Sequence, residues 1–138
     1  LPNYFRIELN ARKAMVAGTA ALVSSGTATL ECAVEDLPML VCYKLSTTSW
    51  LLANTMVSVK YASMVNLIMD EKIVPEFLQN EMTVNNLVQG VMPLLDTKNI
   101  LRKKMLTGFN TVRKTLGLPG VYQRTAKSIL SKMDFSDD

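Results

Sequence analysis

Short apolar runs alternate with helix-patterned stretches through the first half of this chain, and that alternation limits its fold more than any other feature. Ala20–Val23 and Pro38–Tyr43 are too short for helices and read as buried strands, the second with its proline at the first position, where a strand tolerates one. Tyr4–Leu9 alternates apolar and polar residues and predicts another short strand, and Tyr61–Ile68 reads as a strand or an extended loop. Between these runs lie Ala11–Ala17, stopped by Gly18, then Thr27–Val34, closing at Glu35-Asp36, and Ser46–Val57, apolar at helical spacing behind Ser/Thr caps. Strands alternating with helices imply crossover connections and a parallel sheet.

After Ile68 the pattern turns helical: Pro75–Asn80, Val84–Leu95, Lys98–Leu116 and Val121–Met133. Thr83 and Thr97 stand where caps belong, and Gly117-Leu118-Pro119-Gly120 separates the last two helices. The expected architecture is α/β: an incomplete, four-stranded Rossmann-like parallel sheet over residues 1–96 with helices on both faces, then a basic helical tail over 97–138.

A chain of 138 residues fits one domain with a real core. It opens LPNYFRIELN without an initiator Met, which predicts a piece of a longer protein. No basic-then-apolar leader is visible, and no run reaches the ~18 apolar residues that span a bilayer. Cys32 and Cys42 form neither a metal-ligand pattern nor a disulfide framework, which suits buried free thiols in a reducing, cytoplasmic setting. The chain has no histidine, so a Ser-His-Asp triad, a Cys-His pair and a His-bearing zinc site are excluded within it. Residues 1–97 carry six basic and nine acidic side chains, whereas 98–138 carry nine basic and three acidic ones, with no acid from Lys98 to Met133. Such a tail is either a solvated helix face or a surface for nucleic acid, anionic lipid or an acidic partner. With Phe109 and Tyr122 as its only aromatics between Lys98 and Met133, it makes a poor platform for stacking single-stranded bases.

Two local stretches carry chemistry. LVSSGTATLE, Leu22 to Glu31, joins the end of a strand to the start of a helix, where ligands of open parallel sheets sit. Gly26 permits close backbone approach, the amides of Gly26, Thr27 and Ala28 open a helix N-terminus suited to a phosphate, and Ser25 and Thr27 add hydroxyls. Glu31, one turn further, is placed to accept from sugar hydroxyls. The stretch is neither GxGxxG nor a Walker P-loop, and taken alone it reads first as an ordinary helix start with Ser25 or Thr27 as cap. Asn66, in YASMVNL, has both donors and acceptors for a ligand or for a turn.

In order and spacing, SGTATLE (Ser25–Glu31), PMLVCYKLSTTSWLLA (Pro38–Ala53), YASMVNL (Tyr61–Leu67) and VPEFLQNEMTVNNL (Val74–Leu87) resemble the C-terminal part of the lipid-A-disaccharide synthases, bacterial GT-B glycosyltransferases. The resemblance implies transfer of 2,3-diacylglucosamine from its UDP donor to 2,3-diacylglucosamine 1-phosphate, giving the β-1,6 disaccharide and UDP, with no metal or organic cofactor. It implies that Ser25, Gly26 and Thr27 hold the diphosphate and Glu31 the ribose. Asn66 then positions the donor at the cleft, Gln79 is a further donor-side contact, and Lys44, where the family has Arg, supplies positive charge. The base and half of the cleft fall to an absent N-terminal domain, so this piece is expected to be inactive alone.

Two departures stand out: Val65 replaces a usual Pro, and Met69-Asp70-Glu71 replaces Ala-Gly-Arg. Two acids facing a diphosphate would weaken anion binding. For the tail, the resemblance implies either an anionic membrane surface, peripheral on the inner face of the inner membrane, or packing on the N-terminal domain or a second subunit of a homodimer. Rival readings are another UDP-sugar transferase or epimerase, a non-catalytic sugar-phosphate module, and a nucleic-acid adaptor. The expectation adopted is that the partners do not include nucleic acid.

Overall fold

The computed structural model describes residues 2–24, 26–46 and 60–133. Ser25 and nearly all of the expected helix Ser46–Val57 therefore lie outside the described residues. The first helix, α1 (Ala11–Ala17), starts where the Asn10 side chain accepts from the Lys13 N–H at 3.0 Å and ends at Gly18. Strand β1 (Ala21–Val23) follows, then α2 (Ala28–Val34) and β2 (Met39–Tyr43). These four elements fall within a residue of their expected bounds.

Three expectations are corrected. Tyr4–Leu9 forms no strand: Tyr4, Phe5, Ile7 and Leu9 are all exposed, and among the described residues β1 pairs with β2 alone. Alternation makes a strand only where a neighbour completes the ladder. Tyr61–Ile68 contains a helix, α3 (Met64–Met69), because Ser63 caps it, its Oγ accepting from the Val65 and Asn66 amides at 3.1 and 3.3 Å. Pro75–Asn80 is strand β3 (Glu76–Leu78) followed by a 3-10 turn, Gln79–Glu81. Pro75 looked like a helix first residue, but its carbonyl accepts from the Val41 N–H at 2.9 Å and so opens a ladder.

The described sheet therefore has three strands, not four, all parallel in the order β1-β2-β3. Val23 pairs with Val41, and Tyr43 with Leu78. The helices α4 (Val84–Leu95), α5 (Ile100–Leu116) and α6 (Val121–Met133) complete the chain. Thr83 caps α4 as expected, whereas α5 is capped by Asn99 rather than Thr97, its Oδ1 accepting from the Leu101 N–H at 2.9 Å.

Both faces of the sheet are covered. Met39 and Val41 belong to one buried cluster with Cys32, Ala33, Val65, Phe109 and Val112, which places α2, α3 and α5 on that side. Leu40 and Phe77, which alternate to the other side, meet α4 at Gly90, where a Cβ would stand 2.8 Å from the Phe77 ring and 3.0 Å from Leu40. The absent side chain is what lets this helix lie against the strands.

Arginines of α5 fasten carbonyl ends. Arg102 donates to the carbonyls of Thr19 and Leu94, each at 2.6 Å, and Arg113 donates to Ala33 O at 2.9 Å and to Asp36 at 2.6 Å. Arg113 thus closes the C-terminal end of α2, where the helix dipole favours a cation. Part of the basic tail is accordingly internal scaffold. Every residue of α6, by contrast, is exposed.

Candidate functional site

All three strands run the same way, so their carboxyl ends share one edge of the sheet, and the residues that follow them are Gly26-Thr27, Lys44 and Gln79. Gly26 has φ +126°, a left-handed conformation that side chains rarely adopt, and nothing among the described residues lies within 4 Å of where its Cβ would be. Thr27 then enters α2 with helical angles (φ −61°, ψ −28°), and its side chain makes no capping bond. The turn is held from inside the helix instead, by the Thr29 hydroxyl donating to Gly26 O at 2.7 Å. Of the two cap candidates, Thr27 makes no side-chain capping bond and is exposed beside the open glycine, and Ser25 lies outside the described residues.

Glu31 is exposed one turn further along α2. Behind it, burial and then the Glu31 charge push the Cys32 thiol above its ordinary pKa, and burial alone raises Cys42. Both thiols are therefore poor nucleophiles. Cys32 is 1% exposed and Cys42 is partly exposed, so iodoacetamide at pH 7 is expected to label Cys42 slowly and Cys32 only on unfolding, as read by mass spectrometry. Equal labelling of the native chain would contradict this core.

Lys44 follows β2 directly and is exposed, and among the described residues no carboxylate pairs with it. Gln79 occupies the matching position after β3 with φ +51°. Its carboxamide meets the backbone of Leu45 in both directions, Nε2 donating to the carbonyl and Oε1 accepting from the N–H, each at 3.2 Å, in the amide orientation that satisfies both. Its polar atoms are thus committed to a loop rather than aimed at a ligand.

Asn66 is fully buried and placed differently from the other candidates. Its Nδ2 donates to Val74 O at 2.9 Å and to Glu76 Oε1 at 2.8 Å, while its Oδ1 accepts from the Ile73 and Val74 amides at 2.8 and 2.9 Å. Those four bonds exhaust a carboxamide. They also fix it beside Val74 and Glu76, at the entrance of β3 rather than at its carboxyl end. The structure therefore brings Gly26, Thr27, Lys44 and Gln79 to one edge and leaves Asn66 near the other.

Sequence reasoning missed Glu76. Its carboxylate, 8% exposed, accepts from Ala62 N at 3.0 Å, Ser63 N at 2.8 Å and Asn66, filling the N-terminal end of α3 with an internal anion. The available signal was a glutamate inside an apolar run directly after a proline.

The acids of the Met69-Asp70-Glu71 departure do not face the glycine turn. Asp70 pairs with Lys60 at 3.0 Å and Glu71 with Lys104 at 3.8 Å, in the loop that enters β3 at its amino end. Such exposed pairs contribute little to stability, but they keep the two charges away from the carboxyl edge.

The family model for lipid-A-disaccharide synthetase matches residues 2–128. Among similar proteins, the lipid-A-disaccharide synthase of Prochlorococcus marinus is 42% identical over 116 residues, covering 83% of this chain and 29% of that protein. The synthase of Acidobacterium capsulatum is 38% identical over 111 residues, with coverage of 80% and 28%. That of Pseudoalteromonas translucida is 46% identical over 90 residues, with coverage of 64% and 23%. The chain thus spans less than a third of the length of these relatives. With a match across nearly its whole length, and with the parallel α/β layout of a GT-B C-terminal domain, the chain belongs to the lipid-A-disaccharide synthetase family.

Proposed function

We propose that this chain is the donor-binding part of a lipid A glycosyltransferase that moves 2,3-diacylglucosamine from UDP to 2,3-diacylglucosamine 1-phosphate, giving the β-1,6 disaccharide and UDP. The observation that carries the reading is the open Gly26-Thr27 turn, which heads α2 at the carboxyl edge of a parallel sheet with an exposed Glu31 one turn behind it. A diphosphate approaching Gly26 meets the backbone amides and the positive end of the α2 dipole, with the Thr27 hydroxyl as a further donor.

As the acceptor 6-hydroxyl bonds to the anomeric carbon, the bond to UDP breaks and negative charge grows on the departing phosphate. Fixed amides and the Lys44 ammonium stabilise that charge, and Glu31 accepts from the ribose hydroxyls. The hydroxyl proton passes to a base outside this chain. Asn66 and Gln79 contribute by holding the scaffold rather than by touching the donor.

Acylated substrates place the enzyme on the inner face of the inner membrane. No helix among the described residues is long and apolar enough to cross a membrane. The exposed α6, with Tyr122, Ile129 and Leu130 beside Arg124 and Lys127, suits an anionic lipid surface.

Calorimetric titration with UDP, beside AMP, tests the donor reading. UDP is expected to bind selectively, and Glu31→Ala, at an exposed helix position, to weaken it at least about tenfold without unfolding the protein. A folded protein that binds UDP no better than AMP overturns the reading.

A further inference from the structure

We infer that Gln79 is a positioning residue for Lys44, a role that rests on the donor-site reading above. The β2–β3 ladder ends on its backbone at Tyr43 and Leu78. Gln79 extends it by one rung made from a side chain, since its carboxamide pairs with both polar groups of Leu45 at 3.2 Å, as a neighbouring strand would. Lys44 is therefore bracketed. Tyr43 before it is paired in the ladder, and Leu45 after it is held by Gln79, whose bond to the Leu45 N–H fixes the peptide plane that follows Lys44. Lys44, exposed directly after β2, is thereby anchored through its backbone at the carboxyl edge.

A second observation shows that the rung is built at a cost. Gln79 is one of three non-glycine residues with positive φ, at +51°, among the described residues. Glycine would hold that conformation with less strain. A glutamine there makes physical sense through its side chain, and that side chain goes to Leu45.

The same feature supplies a clean variant. Gln79→Gly keeps the left-handed backbone and deletes the rung, so the protein is expected to stay folded by circular dichroism and thermal melting. Amide hydrogen exchange at Leu45 is expected to accelerate at least about tenfold, with exchange in α4 unchanged. Affinity for UDP should fall by a similar factor in Gln79→Gly and in Lys44→Ala, and the double variant should lose no more than Lys44→Ala alone, since one acts through the other.

Unchanged exchange at Leu45 overturns the rung. Losses that multiply in the double variant overturn the coupling and return Gln79 to direct ligand contact. If Lys44→Ala leaves UDP affinity untouched while Glu31→Ala still lowers it, the positioning role fails and the donor site stands. If neither substitution matters, the donor-site reading has failed with it.

Discussion

Replacing Glu76 with alanine is expected to lower the free energy of unfolding by about 3–5 kcal/mol, measured by urea denaturation at neutral pH. The carboxylate is 8% exposed and holds three donors: the amides of Ala62 and Ser63 and the Asn66 carboxamide. Each buried donor left unpaired costs about 1–3 kcal/mol. Ser63 and Asn66 are themselves fully buried, so water cannot substitute readily. Alanine would also remove the negative charge from the N-terminal end of α3, where amides and dipole favour it. Glu76→Gln should cost less, because one oxygen still serves Ser63 and Asn66 while only the Ala62 N–H faces the new N–H₂ group. Asn66→Ala and Glu76→Ala share a bond, so their losses should be less than additive. A loss for Glu76→Ala below about 1 kcal/mol would mean that the knot around Asn66 is incidental to the fold.

This knot marks where the sequence became hard to read. Helix α4 has the same bounds in pattern and in structure because its evidence is local: Thr83 caps it, and Leu87, Gly90 and Leu94 repeat at helical spacing on its inner face. Val121–Met133 was legible for the same reason. The three-residue strand β3 was not, because Pro75-Glu76-Phe77 has a good helix start and only the parallel neighbour β2 makes it extended. Met64–Met69 is a nearly unbroken apolar run, for which periodicity cannot separate strand from helix, and its decisive anion comes from Glu76, ten residues beyond Asn66.

The candidate site divides along the same line. Gly26, Thr27 and Glu31 were visible because a glycine turn and the first turns of a helix are contiguous in sequence. Asn66 and Gln79 stand out in the sequence as donor-side candidates, but their commitments to Val74, Glu76 and Leu45 depend on contacts between elements that no local pattern encodes.

Gly26→Ala should have the largest effect on ligand binding, lowering UDP affinity roughly a hundredfold or more, about 2.7 kcal/mol. Two physical effects act together. At φ +126° an alanine is strained, which should cost about 1–3 kcal/mol of stability or force the turn to change shape. A changed turn no longer aims successive amides at one point. If the turn holds, the new methyl enters the space above Gly26 that is open among the described residues, where a phosphate oxygen must approach the backbone. Thr27→Val offers the contrast: it preserves shape, removes one exposed hydroxyl that caps nothing, and should cost roughly tenfold in affinity with little change in stability. Calorimetry with UDP and urea denaturation of the same samples separate the cases. Lower stability with unchanged UDP affinity in Gly26→Ala would make the turn a structural corner alone. Loss of affinity out of proportion to the loss of stability would identify its open side as the place where the diphosphate sits.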